Sequence, residues 1–222
     1  HAANQHLFKN PGYDPVKDFE QVGLFGTFAS VAVVANESPI KSIRDLVDRA
    51  RGQPGRLAFG YYSSSSQIPA EMLRTRAEID LIGASYKSIT QIITDLIGGQ
   101  ITFAFIDYLT AMSSLEGGRL RPIAVSDAQP FSAWPQVPTV ASTYPGFEVA
   151  GWLGLSAPAG TPAAIVTRMN AIIAQAQQNA AARTRLERLG FVVRSMSPEA
   201  FSAFVVADGK RWAEWVRLAK IA

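Results

Sequence analysis

Two hydrophobic periods take turns along the chain. Short, nearly unbroken apolar runs, SVAVVAN (30–36), RLAFG (56–60), IDLIGASY (79–86) and ITFAFID (101–107), have the length of strands, the first of them a buried one. The segments between them carry helical signals. After a turn at ESPIK (37–41), Ser42 stands as an N-cap with Asp45 three residues on, and GQPG (52–55) stops the helix. IPAEMLRTRA (68–77) reads as a second helix, with Pro69 tolerated near its first turn. Ile89, Ile92, Ile93, Leu96 and Ile97 form one stripe at helical spacing, closed by Gly98 and Gly99. Strand and helix alternate, which is the pattern of an α/β fold built from βαβ units.

The second half changes character. Residues 127–146 are interrupted by Pro130, Pro135, Pro138 and Pro145, the composition of a long ordered connection over the surface. GWLGLSAPAG (151–160) follows, and then two helices dominate. Thr161 and Pro162 make a cap-then-proline start for the first, with Ile165, Val166, Met169, Ile172 and Ile173 on one face. The last starts at Ser197 and Pro198 and carries Phe201, Phe204, Val205, Trp212, Trp215 and Val216, most simply as core or helix–helix packing.

Composition narrows the class. With 222 residues, 48% hydrophobic and 18% charged, the chain can bury a real core as one large domain or two modest ones, and it is not disordered by composition. No apolar run reaches bilayer length. The net charge of +3 is scattered. Its densest groups, Arg74 with Arg76 and Arg183 with Arg185 and Arg188, fall on helical patterns as solvated faces and leave no nucleic-acid footprint. The lack of cysteine removes disulfides, thiolate metal sites and cysteine nucleophiles. The opening HAANQHLFKN has neither an initiating methionine nor a charged-then-apolar leader, which reads as a processed or trimmed product.

Candidate chemistry concentrates at YYSSSSQ (61–67). A solvated loop explains four hydroxyls between a strand and a helix. So does an anion cradle, in which hydroxyls and the free N–H groups of a helix start surround one point. A serine hydrolase would need a histidine base and an orienting acid, but His1 and His6 are the only histidines and no G-x-S-x-G occurs. The same shortage leaves no metal-ligand set. Neither GLFGTFAS (23–30) nor FGYYSSSS (59–66) has the spacing or the lysine of a nucleotide loop. A donor-rich turn without a catalytic set suits binding better than turnover.

Longer strings then accumulate in order: GYDPVKDFEQVGLF (12–25), YKSITQIITDLIGGQITFAFID (86–107), GGRLRPIAVS (117–126), WPQVPTVASTYPGFEVAGWLGLSAPAGTP (134–162), RLERLGF (185–191), SPEAFSAFV (197–205) and KRWAEWVRLAKI (210–221). Together they resemble the Bug/TctC solute-binding proteins of tripartite tricarboxylate transporters over essentially the whole chain. The resemblance implies a type II periplasmic-binding-protein fold of two α/β domains, a Venus flytrap that closes on its ligand. Domain I is expected at 1–31 and 150–222, domain II at 32–149, with crossovers near 31–34 and 151–155 and hinge positions at Val33 and Trp152. Strand–helix units that normally open the first domain are absent from this chain, so that domain is expected to be incomplete.

Site residues are implied the same way. The family's loop resembling S-x-G-N-G-S-S-S-H supplies backbone and hydroxyl donors to the ligand. Here it is GYYSSSSQ, with Ser64, Ser65 and Ser66 at hydroxyl positions, Ser63 beside them, Gln67 in place of histidine, and the glycine–asparagine pair gone. Tyr86, Lys87 and Ser88 fall at a strand's C-terminal end, where α/β sheets bind ligands, though Ser88 replaces a family glycine and Lys87 is equally a surface lysine. Asp107 either orients an ammonium or a water, or caps the next segment. The implied function is a periplasmic, non-enzymatic, monomeric solute-binding protein with no cofactor, metal or nucleic-acid partner. It captures a small carboxylate and delivers it to membrane transporter subunits. Di- and tricarboxylates, amino acids, aromatic acids and nicotinate-like compounds all stay open as ligands. The rivals are a ligand sensor that signals to a membrane protein, a truncated relative that no longer binds, and an enzyme on the same fold.

Overall fold

Residue 27 ends one compact unit of the chain and residue 28 begins another. The computed structural model describes residues 4–7, 10–131 and 134–219. Its two units are Phe28–Gly151, called unit 2, and the flanking segments His1–Thr27 with Trp152–Ala222, called unit 1. In chain order the elements are α1 (Asn4–Leu7), β1 (Phe19–Ala35), α2 (Ile43–Gly52), β2 (Leu57–Tyr61), α3 (Ser64–Ala77), β3 (Leu81–Ser85), α4 (Ile89–Ile97), β4 (Phe103–Asp107) and α5 (Tyr108–Glu116). Then come β5 (Leu120–Val125), a 3-10 turn (Val140–Ser142), β6 (Ala150–Pro158), α6 (Ala163–Gln178), α7 (Ala180–Arg188) and α8 (Pro198–Ala219).

Strand order in the sheet is β3-β2-β4-β1-β5, with β6 pairing to β1 off this path. β2 runs parallel to β3 and β4, whereas β1 is antiparallel to β4 and β5. A βαβ crossover forces the first arrangement, because α3 and α4 carry the chain back to start each new strand in the same direction. The unit 2 core lies on the strands: Val31, Val33, Ala104, Ile106 and Val125 pack with Ile92 and Leu96 from α4 and Tyr108 and Ala111 from α5. That is the inner half of the isoleucine stripe expected for α4. Ser42 caps α2 as its position implies, accepting the Asp45 N–H at 3.1 Å.

Unit 1 holds two smaller clusters. Val22, Val166 and Ile173 form one, and Leu24, Phe201 and Val205 the other. Side-chain amides of α6 satisfy carbonyls of β1: Asn170 Nδ2 donates to Val22 O at 2.7 Å, and Gln177 Nε2 to Leu24 O at 2.8 Å. Thr27 and Val192 exchange backbone bonds beside them, at 3.1 and 2.8 Å.

Four local features differ from what the sequence pattern suggests. β1 starts at Phe19, well before the apolar run at residue 30, so the first crossing lies within a continuous strand and N-terminal to residue 31. A continuous strand shows no break where it passes from one unit to the other, and hydropathy leaves the point unmarked. Helix α3 begins at Ser64, which makes three serines its first turn and puts Pro69 in its interior. Thr161 does not cap α6: its hydroxyl donates to Pro158 O at 2.7 Å, and Pro162 takes the N-cap position. The helical span after β6 is broken at Asn179, whose side chain accepts the Ala182 N–H at 3.0 Å and starts α7 as a separate element.

Candidate ligand-binding site

Three parallel strands end at one edge of the unit 2 sheet. Tyr61 of β2 is level with Ser85 of β3, and Gly60 with Ala104 of β4. Each strand runs into a helix that opens at that edge: α4 after Ser88, α3 after Ser63 and α5 after Asp107. Neighbouring strands are about 4.8 Å apart, so the serine turn stands between the other two helix starts. Unpaired N–H groups and the positive ends of helix dipoles favour an anion there. β1 reaches the same edge, since Ser30 is registered opposite Asp107.

The four serines divide the work. Ser63 is the extended N-cap of α3. Ser66, 2% exposed, is spent inside the turn: its Oγ accepts the Tyr62 N–H at 3.0 Å and the Ser63 N–H at 3.1 Å and donates to Ser63 O at 2.8 Å. The Ser63 and Ser65 hydroxyls pair with each other at 2.9 Å. Ser64 Oγ and the N–H groups of Ser64 and Ser65 have no acceptor among the described residues. These donors of the turn stay unengaged.

Pro69 explains how the turn is anchored. Its missing N–H leaves the Ser65 carbonyl without a helical donor, and Ser30 Oγ donates to that carbonyl at 3.1 Å. Ser126, fully buried, holds Ser30 in turn. The Ser30 N–H donates to Ser126 Oγ at 3.0 Å, and Ser126 Oγ donates to Val149 O at 2.7 Å. Backbone bonds from Ser126 to Ser30 O, 2.9 Å, and from Val149 to Ser126 O, 2.8 Å, complete the network. The serine turn is thereby tied to the stretch of β1 after the first crossing and to the residues just before the second.

Asp107 is the N-cap of α5. Its Oδ1 accepts the Thr110 N–H at 2.9 Å, and the Thr110 hydroxyl lies 2.8 and 2.9 Å from the two carboxylate oxygens. Tyr62 OH donates to Oδ2 at 3.4 Å. Burial, and then the charge of Asp107, push the Tyr62 phenol above its ordinary value. Ser88 caps α4 by accepting the Gln91 N–H at 3.4 Å, and Lys87 beside it is exposed. The Tyr86 hydroxyl donates to Asp95 at 2.7 Å; burial, then that bond, then the charge of Asp95 push it up to about 12.

The two positions expected at the hinge lie in different settings. Val33 sits fully buried inside unit 2, opposite Ala104 and Pro122. Trp152 stands at the second crossing, its Nε1 donating to Asp208 at 2.6 Å and its ring edge-on to Phe201 and Phe204. Tyr62, Ser30, Ser126 and Thr110 were not expected at the site. Pro69 carried a usable signal, because a proline inside a helix implies an orphan carbonyl and a donor to serve it.

Residues 1–220 match the model of the tripartite tricarboxylate transporter family receptor. The chain belongs to that family. Its fold is that of periplasmic binding proteins. Among solved structures of similar proteins, Rpa4515 of R. palustris, with adipate, is 28% identical with a TM-score of 0.91, covering 99% of this chain and 75% of that one. MatC of Rhodopseudomonas palustris, with bound malate, is 26% identical with a TM-score of 0.82, covering 96% and 75%. A UPF0065 protein from the tcbD-tcbE intergenic region of Pseudomonas sp. (strain P51) is 29% identical over 215 residues, 95% of this chain; the chain spans 64% of that relative's length.

Proposed function

We propose that this protein is a periplasmic, non-enzymatic solute-binding receptor. It captures a small carboxylate as a monomer and presents it to a tripartite tricarboxylate-type membrane transporter. The observation that supports this best is the serine turn: Ser64 Oγ and two unengaged N–H groups at the start of α3, between two further helix starts, in a chain of the receptor family. Hydrogen bonds to a charged acceptor contribute roughly 1.5–3 kcal/mol each, so three such donors suffice for useful affinity without a basic side chain. The adipate and malate held by two similar proteins have the chemistry such donors recognise. In this reading Ser63 and Ser66 shape the turn, Ser88 and Asp107 fix the flanking helix starts, Tyr86 braces α4 through Asp95, and Lys87 supplies a nearby positive charge.

Native mass spectrometry of the purified protein with added adipate or malate tests it. A one-to-one adduct that is recovered chemically unchanged after long incubation is the expected result. Failure of every carboxylate to form an adduct, or conversion of the ligand, contradicts the proposal.

A further inference from the structure

Asp107 is the one acid among the side chains expected at the strand edge, and a carboxylate beside an anion site is a repulsive element unless its charge is dispersed. Here Thr110 and the start of α5 take most of it, through the amide and hydroxyl bonds described above. What remains on Oδ2 is met by the Tyr62 hydroxyl. Tyr62 is part of the serine turn, because its own N–H is bound by Ser66 Oγ. Its side chain stays accessible, at 38% residue exposure, next to a half-buried Asp107.

Building on the carboxylate-binding reading, we propose that Tyr62 is a specificity residue whose hydroxyl masks Asp107, so that the site selects acids without an ammonium group over the matching α-amino acids. An ammonium group must exchange its water for an anionic or strongly accepting partner to bind without loss. Asp107 is the anion bonded to a residue of the turn, and the Tyr62 hydroxyl shares its Oδ2 with that of Thr110. A plain acid needs no such partner and gains from the mask, which keeps the Asp107 charge away from its own carboxylate. An unperturbed phenol is already protonated at neutral pH, and burial and the Asp107 charge push its pKa further up, so the hydroxyl is a donor there.

Calorimetric titration with two matched pairs, L-malate with L-aspartate and adipate with L-2-aminoadipate, tests this. The proteins are the wild type, Tyr62→Phe and Tyr62→Phe/Asp107→Asn. The wild type is expected to favour the plain acid of each pair. In Tyr62→Phe the plain acid weakens and the amino acid strengthens, each by about twofold, the low end for one net hydrogen bond, as its 3.4 Å length and exposure imply. The double variant loses the amino-acid gain while keeping its fold, because asparagine caps a helix as well as aspartate does. A wild type that binds the amino acid as tightly as the plain acid overturns the selectivity inference and leaves the carboxylate site standing. So does a Tyr62→Phe variant that moves both members of a pair in the same direction, the mark of a merely structural residue. A wild type that binds none of the four overturns the inference, whereas the carboxylate reading falls only when every carboxylate fails to bind.

Discussion

Replacing Ser126 by alanine removes a single oxygen from the interior of unit 2, and the groups that oxygen serves are known. Its Oγ accepts the Ser30 N–H at 3.0 Å and donates to Val149 O at 2.7 Å, and the residue has no exposed surface. Alanine leaves a buried backbone donor and a buried backbone acceptor unpaired. Each of the two unmet groups costs about 1–3 kcal/mol, and relief from burying a hydroxyl returns about 1 kcal/mol, so the net loss should be about 1–5 kcal/mol. For a chain of this size that lowers the melting temperature by roughly 2–20 °C. Urea titration followed by circular dichroism reads the free energy. Ser113→Ala serves as control, since the Ser113 hydroxyl makes only a 3.4 Å exposed bond to Thr110 O. A loss at Ser126 below about 0.5 kcal/mol, no larger than a typical surface substitution, would refute the claim that this serine is the junction of the network.

The orphan-carbonyl account of Pro69 makes a coupled prediction: Ser30→Ala alone costs about 1–3 kcal/mol, but far less in a Pro69→Ala background, where residue 69 regains the N–H that serves Ser65 O. A double-mutant cycle with no coupling would contradict it. Asp208 is fully buried and bonded to Trp152 Nε1 at 2.6 Å and Arg211 Nη2 at 2.7 Å. In Asp208→Asn one of these donors faces an amide N–H, so Trp152 emission should shift and stability fall by about 2 kcal/mol or more, whereas an unchanged spectrum would show that the pair does not hold the indole. Tyr86 has its pKa raised from 10.0 to about 12, so the folded state holds its proton where the unfolded chain has released it. The stability this contributes is present below pH 10 and is lost as pH rises toward 12. Tyr86→Phe should flatten the fall of melting temperature across that window, and an identical slope in the variant would count against the Asp95 bond.

The parts of the fold that were legible share a physical cause. Central strands of a parallel sheet need unbroken apolar runs, and helices covering it need an apolar stripe, so β2, β4 and α4 left strong local marks; β3 has the run but lies at the sheet edge, with Ile82 exposed. The α2 cap was equally local, with donor and acceptor three residues apart. What stayed hidden was non-local or context-dependent. The first crossing lies inside β1, where a continuous strand shows no break. Serine is an indifferent helix former, so the run at 63–66 fits a solvated loop as well as a helix start, and capping by Ser63 with the return bonds of Ser66 makes it the latter. Ser30 meets Ser65 across 35 residues and Ser126 across 96, distances at which no sequence period operates. The donor-rich character of the turn could be suspected from composition; that Ser66 is spent inward while Ser64 stays free could not.

Isothermal titration of adipate and L-malate into the wild type and into Ser64→Ala/Ser65→Ala tests the central claim most directly. Loss of the Ser64 hydroxyl, and of the Ser65 hydroxyl paired with Ser63, should weaken binding by about tenfold or more, at the lower end for one charge-assisted hydrogen bond. The melting temperature should stay within about 2 °C of the wild type, because both side chains are outside the core. Saturable binding of at least one acid to the wild type, weakened to that degree in a folded variant, is the result expected of a carboxylate receptor that reads its ligand at the start of α3. Equal affinity in the two proteins would contradict it.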